Sequence, residues 1–209
     1  MNARRPAHVI GAGGHAKVVA ATLRAAGYEI LRFFEDNPAR WGQTMAGGIP
    51  IQGPIVSAQE HPDIPAVLAI GDNRVRQRLS RLSLEWLSVV HPHALVEERA
   101  TIGPGTVVFA GAILQPEVRI GAHCIVNTAA SVDHECMVGD FVHLAPGSRL
   151  AGAVTIEEGA MVGIGASIIV GVTVGAWSMV GASAAVIRNV PAGITFVGVP
   201  ARPIEPRSR

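Results

Sequence analysis

From residue 96 onward, a large aliphatic residue stands at every sixth position: Val96, Ile102, Val108, Leu114, Ile120, Val126, Val132, Val138, Leu144, Leu150, Ile156, Val162, Ile168, Val174, Val180 and Val186. Four residues after each comes a small residue or a valine, from Ala100 and Thr106 through Cys124 and Cys136 to Ala184 and Val190. An amphipathic helix is excluded, because six is not a multiple of about 3.6 residues per turn. The pattern predicts short strands wound into a coil, with the aliphatic residue pointing into a narrow interior and the small residue at a tight corner. Gly103, Gly121, Gly139, Gly163, Gly175 and Gly181 directly follow aliphatic positions, where strained corners are expected. At three hexads per coil the repeats predict about five coils stacked roughly 4.8 Å apart, a prism about 25 Å long. Its flat faces and open edges favour self-association.

The first 90 residues carry a different pattern. A short apolar strand, Ala7 to Ile10, runs into Gly11-Ala12-Gly13-Gly14-His15, then a helix of small and aliphatic residues to about Ala26. A second strand, Ile30 to Phe34, ends in Glu35-Asp36. Strand, glycine turn, helix and acidic strand end follow the dinucleotide-type βα order, in which helix N–H groups receive a phosphate. A further strand at Val67 to Ile70, a polar helix from about Asn73 to Leu82 and a strand near Leu87 to Val90 complete the segment. That length suits a small Rossmann-like domain and leaves no room for a six-stranded dinucleotide domain. The expected division is 1–90 for the βα domain and 91–209 for the coil with its C-terminal tail.

Composition narrows the function. Lys and Arg number 17 against 16 Asp and Glu, with no basic cluster long enough to follow a phosphate backbone, so nucleic acid is not an expected partner. No apolar run is long enough for a membrane span, and glycines interrupt the apolar stretch after the N-terminus, so neither membrane insertion nor a signal peptide is expected. Cys124 and Cys136 cannot form a disulfide framework, which agrees with a cytoplasmic location.

The hexads, and an ending in Val190-Pro191-Ala192-Gly193 and Val197-Gly198-Val199-Pro200-Ala201, resemble the hexapeptide-repeat acyltransferases. That resemblance implies a left-handed parallel β-helix, a homotrimer, and acetyl-CoA bound between subunits. Gly13-Gly14-His15, Glu35-Asp36, Ala69-Ile70-Gly71-Asp72-Asn73-Arg74, Asn127-Thr128, Asp133-His134-Glu135-Cys136, Gly139-Asp140-Phe141 and His143 carry a narrower resemblance over nearly the whole chain. It is to bacterial sugar N-acetyltransferases and sialic acid O-acetyltransferase-like proteins, best to enzymes acetylating the 4-amino group of a UDP- or GDP-linked 4-amino-4,6-dideoxy sugar, as in bacillosamine or N-acetylperosamine pathways.

Acetyl transfer to an amine needs a base. His134, in a polar interruption of an apolar repeat, is the candidate. The family pattern gives Glu135 as the group that orients it, with Asp133 an alternative. The resemblance also assigns substrate contacts to Gly13, Gly14, His15, Glu35, Asp36, Gly71, Asn73 and Asn127. It places His143, Gly152, Ile164 and Ala182 against acetyl-CoA, although glycine also occurs where Ala182 stands. His134 and His143 lie half a coil apart, so a shared site is expected to form across a subunit boundary. Both cysteines fall in the small column, which argues against a covalent acyl-enzyme, and His91 and His93 read as linker residues. O-acetylation, a zinc β-helix enzyme and a non-catalytic nucleotide-sugar sensor are the competing readings. No metal is expected, because His123, His134 and His143 share no coil column.

Overall fold

The computed structural model describes residues 4–204. Residues 1–3 of the expected first domain and 205–209 of the expected tail lie outside the described residues.

The N-terminal segment forms a five-stranded sheet, order β3-β4-β2-β1-β5, from β1 (Arg5–Ile10), β2 (Tyr28–Phe34), β3 (Thr44–Met45), β4 (Ile49–Gln52) and β5 (Ala66–Leu68). Only β3 runs antiparallel to its neighbour. Helix α1 (Gly14–Ala25) buries Ala16, Val19, Ala20 and Leu23 on one face of the sheet. A 3₁₀ segment, Ile55–Glu60, covers the other face through Ile55 and Ala58. The strands β3 and β4 lie in a Gly- and Pro-rich stretch whose short, irregular pattern gave no periodic signal.

The repeats wind into a parallel β-helix of two-residue strands. Each strand pairs with the strand three hexads further along the chain, as Ile125 does with His143 and Val126 with Leu144. Three sheets result, of eight, six and five strands. We call them the first, second and third faces; their inward residues include Leu144, Leu150 and Ile156 respectively, all buried in one core. The coil begins one hexad earlier than the repeat predicts: Trp86 bridges Ala66 at the edge of the N-terminal sheet, with the Leu87 N–H donating to the Ala66 carbonyl, and Val89–Val90 then pairs with Val107–Val108 of the first face. On the outside of the first face, Val89, Val107, Phe109 and Ile125 share a core with Val9, Val19 and Leu23, so the βα segment is seated on the coil by apolar burial.

The glycine expectation needs correction. From Ile102 to Val180 the left-handed corner residue is the third after each aliphatic position, and it is often not glycine: Glu117, His123, Ala129, Glu135, Phe141, Ala153, Trp177 and Ser183 have φ between 52° and 65°. The glycines directly after the aliphatic column have ordinary φ and serve close approach instead. A Cβ on Gly103 would sit 2.5 Å from the Gly121 carbonyl carbon, and one on Gly163 would sit 2.6 Å from the Val180 oxygen of the next coil.

Helix α2 (Asn73–Leu79), capped by Asp72 accepting from the Val75 N–H at 2.9 Å, lies along the corner between the third and first faces. Asn73 donates to the carbonyls of Gly159 and Ala160, and Gln77 to the Glu158 carboxylate. Arg74 stacks 4.3 Å over the Trp177 ring, a cation–π contact.

Candidate active site

Asp133-His134-Glu135 forms a corner between the second and third faces. Because Glu135 takes the left-handed conformation, its side chain returns toward its neighbour, and adjacent residues that would point apart in a straight strand meet. His134 Nδ1 and Glu135 Oε2 are 3.0 Å apart. The carboxylate accepts, so Nδ1 carries a proton, and in the neutral ring the lone pair is on Nε2. Asp133 is engaged elsewhere, accepting from the His134 backbone N–H at 2.8 Å. The pair is exposed in a single chain, with side-chain accessibilities of 55% and 62%. One coil away, Gly152 forms a seat for the imidazole: a Cβ there would lie 2.5 Å from His134 Cε1.

His143 lies on the first face and is turned toward the βα segment. Asn127 accepts the Thr128 N–H through Oδ1, so its amide N–H₂ faces His143 Nε2, 3.1 Å away. Nε2 therefore accepts and Nδ1 is protonated, with no partner within bonding geometry. The His15 ring, from the first turn of α1, is 6.3 Å from that of His143, and its Nε2 is also unpartnered. Burial, then the charge of Arg76, holds His15 down at about 4. His143 is held at about 4 by burial, Arg76 and His15 in that order, with the Gly71 carbonyl opposing. Both imidazoles are thus neutral hydrogen-bonding groups at neutral pH.

The glycine turn is open. Added Cβ atoms on Gly13 or Gly14 would meet nothing within 4 Å, and neither residue has a left-handed φ, so packing does not demand glycine there. No side chain caps α1, and its first turn holds no acid. Its N–H groups face the same open turn, a suitable seat for a phosphate.

Glu35 and Asp36 already have structural partners. Glu35 accepts from the Ala12 and Asn37 N–H groups, and Asp36 from the Ile55 N–H at 2.8 Å. A cleft of about 410 Å³, lined in part by Phe34, Trp41, Gln52, Ser57, Glu60 and His61, opens beside the end of β2. Sequence reasoning missed it; Trp41 amid glycines and prolines was the available signal.

The expected residues thus fall into separate groups. His15, Gly71, Asn127 and His143 converge between the βα segment and the first face. His134, Glu135 and Gly152 share the corner between the second and third faces. Ile164, which is 60% exposed, and Ala182 stack on the corner between the first and second faces. Buried Cys124 is pushed up to about 12 by desolvation, which makes a thiolate nucleophile untenable. Among the described residues no group of three or more His, Cys, Asp or Glu could hold a metal ion, and no helix is long and apolar enough to cross a membrane.

A βα segment with an open glycine turn, docked on a hexapeptide coil that bears a histidine–carboxylate corner, defines a two-part hexapeptide-repeat protein. The profile of the PglD N-terminal domain matches residues 7–82. GDP-perosamine N-acetyltransferase of Escherichia coli O157:H7 is 35% identical over 144 residues, an alignment covering 65% of this chain and 65% of that relative's length. The acetyltransferase domain of PglB from Neisseria gonorrhoeae FA1090, solved in complex with acetyl coenzyme A, is 37% identical with a TM-score of 0.89, covering 96% of this chain and 100% of that one. PerB from Caulobacter crescentus, solved with CoA and GDP-perosamine, is 37% identical with a TM-score of 0.88, covering 96% and 97%. The chain belongs to the left-handed β-helix family of nucleotide-amino-sugar N-acetyltransferases.

Proposed function

We propose that the protein transfers the acetyl group of acetyl-CoA to the 4-amino group of a UDP- or GDP-linked 4-amino-4,6-dideoxy sugar. The observation that carries this reading is the His134–Glu135 corner, a basic nitrogen left free while its partner nitrogen is held by a carboxylate. The amine attacks the thioester carbonyl, His134 Nε2 takes its proton, the C–S bond breaks, and CoA leaves as the thiol on receiving a proton. Glu135 fixes the tautomer and stabilises the imidazolium that forms.

The division at 1–90 and 91–209, with the Val89–Val90 strand counted to the coil, gives each domain its own substrate. The glycine turn and uncapped α1 receive the diphosphate, and Glu35 and Asp36 keep free lone pairs for hydroxyl or base N–H groups. His143, Gly152, Ile164 and Ala182 line acetyl-CoA. Because the second face lies between the His134 corner and the Ile164–Ala182 corner, three prisms with second faces turned toward a common axis bring one subunit's His134 against the next subunit's acetyl-CoA residues. Exposed Ile164, Ile169, Val170 and Ile187 on those corners suit such a homotrimer. A cytoplasmic enzyme of surface-polysaccharide or O-antigen biosynthesis is the setting this chemistry fits.

Gly14→Val tests the assignment. Its side chain enters space that the fold leaves open, so the acceptor KM rises while the KM for acetyl-CoA stays nearly unchanged. An equal rise in both constants, or a selective loss of acetyl-CoA affinity, contradicts the assignment.

A further inference from the structure

Arg76 on α2 is 1% exposed, and no carboxylate bonds its guanidinium. All its nitrogens donate to backbone carbonyls: Nε to His123 (3.0 Å), Nη1 to Ile70 (3.2 Å) and Gly71 (3.0 Å), Nη2 to Phe141 (2.8 Å) and Val142 (3.4 Å). His123 and Phe141 occupy the same corner position in successive coils, both with left-handed φ. Among the described residues neither carbonyl accepts a bond from the coil itself. One planar fork therefore ties the loop after β5 to two coils at once, a geometry that a lysine ammonium cannot reproduce.

Desolvating a guanidinium is costly, and an apolar residue would serve simple packing better. What surrounds Arg76 supplies a reason for the charge. Asp72 faces it from the start of its own helix, Cys124, His123 and His143 from the coil, and His15 from α1; Asp140 sits beside His123. The imidazoles each have a buried nitrogen without a partner: His15 Nε2, His123 Nδ1 and His143 Nδ1.

We propose that Arg76 is a positioning residue for acetyl transfer, its fork fixing the gap between Gly71 and His15 on one side and His143 on the other, and its charge keeping a second cation out of that gap. The proposal rests on the acetyl-transfer reading. An amine held beside a fixed cation is favoured as the free base, the form that attacks. The imidazoles conform: after burial, Arg76 is the next cause lowering His15, His123 and His143, so removing its charge raises His15 and His143 above about 4 while burial still holds them low.

Arg76→Lys keeps the charge and loses the fork, and Arg76→Met loses both. Ring-labelled histidine NMR titrations and paired steady-state constants are measured on each. The account expects His15 and His143 to stay neutral to about the same pH in the parent and the Lys variant, and to protonate at higher pH in the Met variant. The acceptor KM is expected to rise about tenfold or more in both variants and by a clearly larger factor than the acetyl-CoA KM, which shifts only through His143; an equal rise in both marks general damage. Unchanged acceptor KM in a folded Lys variant overturns the positioning role, and this decides it even if the Met variant does not fold. Unshifted histidine titrations in a folded Met variant overturn the electrostatic role. The titrations need no turnover, so an inactive parent would count against the acetyl-transfer reading alone.

Discussion

An imidazole base needs one nitrogen free and the other held, and at residue scale His134 meets that requirement through a single left-handed residue, Glu135. As a candidate base His134 stood out in the sequence because Asp133-His134-Glu135 interrupts an apolar repeat. The sequence left the orienting carboxylate open between Glu135 and Asp133, since backbone handedness at the corner decides it. Gly152 acquires a second role that the predicted stacking allowed but did not reveal, because the lean of the imidazole over it is set by the corner geometry. Gly152→Ala should crowd and displace the imidazole. The expected loss in kcat is about tenfold or more, with His134→Ala losing about 10²-fold or more. A rise in acetyl-CoA KM with kcat unchanged would mean that Gly152 acts through CoA contact alone.

At the scale of elements, the six-residue period specified the strands of the coil almost residue by residue, because each aliphatic side chain has one interior to enter. It misassigned the glycines, since close approach between coils leaves the same mark in a sequence as a left-handed corner. Gly103 and Gly111 separate the two causes. Gly111 has a left-handed φ, and a Cβ there would meet only Ala129, at ordinary van der Waals distance. Gly111→Ala should therefore cost about 1 kcal/mol, from handedness alone. Gly103 has no left-handed φ, but a Cβ there collides with the backbone of the next coil. Gly103→Ala should be the more damaging, with an overpacking cost of about 1–3 kcal/mol or more because main chain has to move. Urea midpoints of the two variants check the order, and a reversed order would restore the handedness explanation for Gly103. Helix α2 was predicted only as a polar helix. Its docking through Asn73 and Arg76 onto coil carbonyls could not be read, because the partners are main-chain groups that carry no sequence signal.

For the whole molecule, the sequence showed two architectures in series, and the structure adds how one is seated on the other: Val9, Val19 and Leu23 share a core with Val107 and Ile125. A single chain leaves His134 on a different corner from Ile164 and Ala182, and in the proposed site a neighbouring subunit completes it. Refolded mixtures of His134→Ala with Ala182→Trp should regain a fraction of the activity that each variant lacks. No regain in mixed trimers verified by mass would put the site within one chain. The claim beneath all of this is acetyl transfer to a nucleotide-linked amine, and it is tested most directly by following CoA thiol release from acetyl-CoA while identifying the product by mass and NMR. The account predicts release that depends on a UDP- or GDP-linked 4-amino-4,6-dideoxy sugar, with one acetyl group gained on nitrogen. Acetyl found on a hydroxyl, or no acceptor-dependent release with either nucleotide, would contradict it.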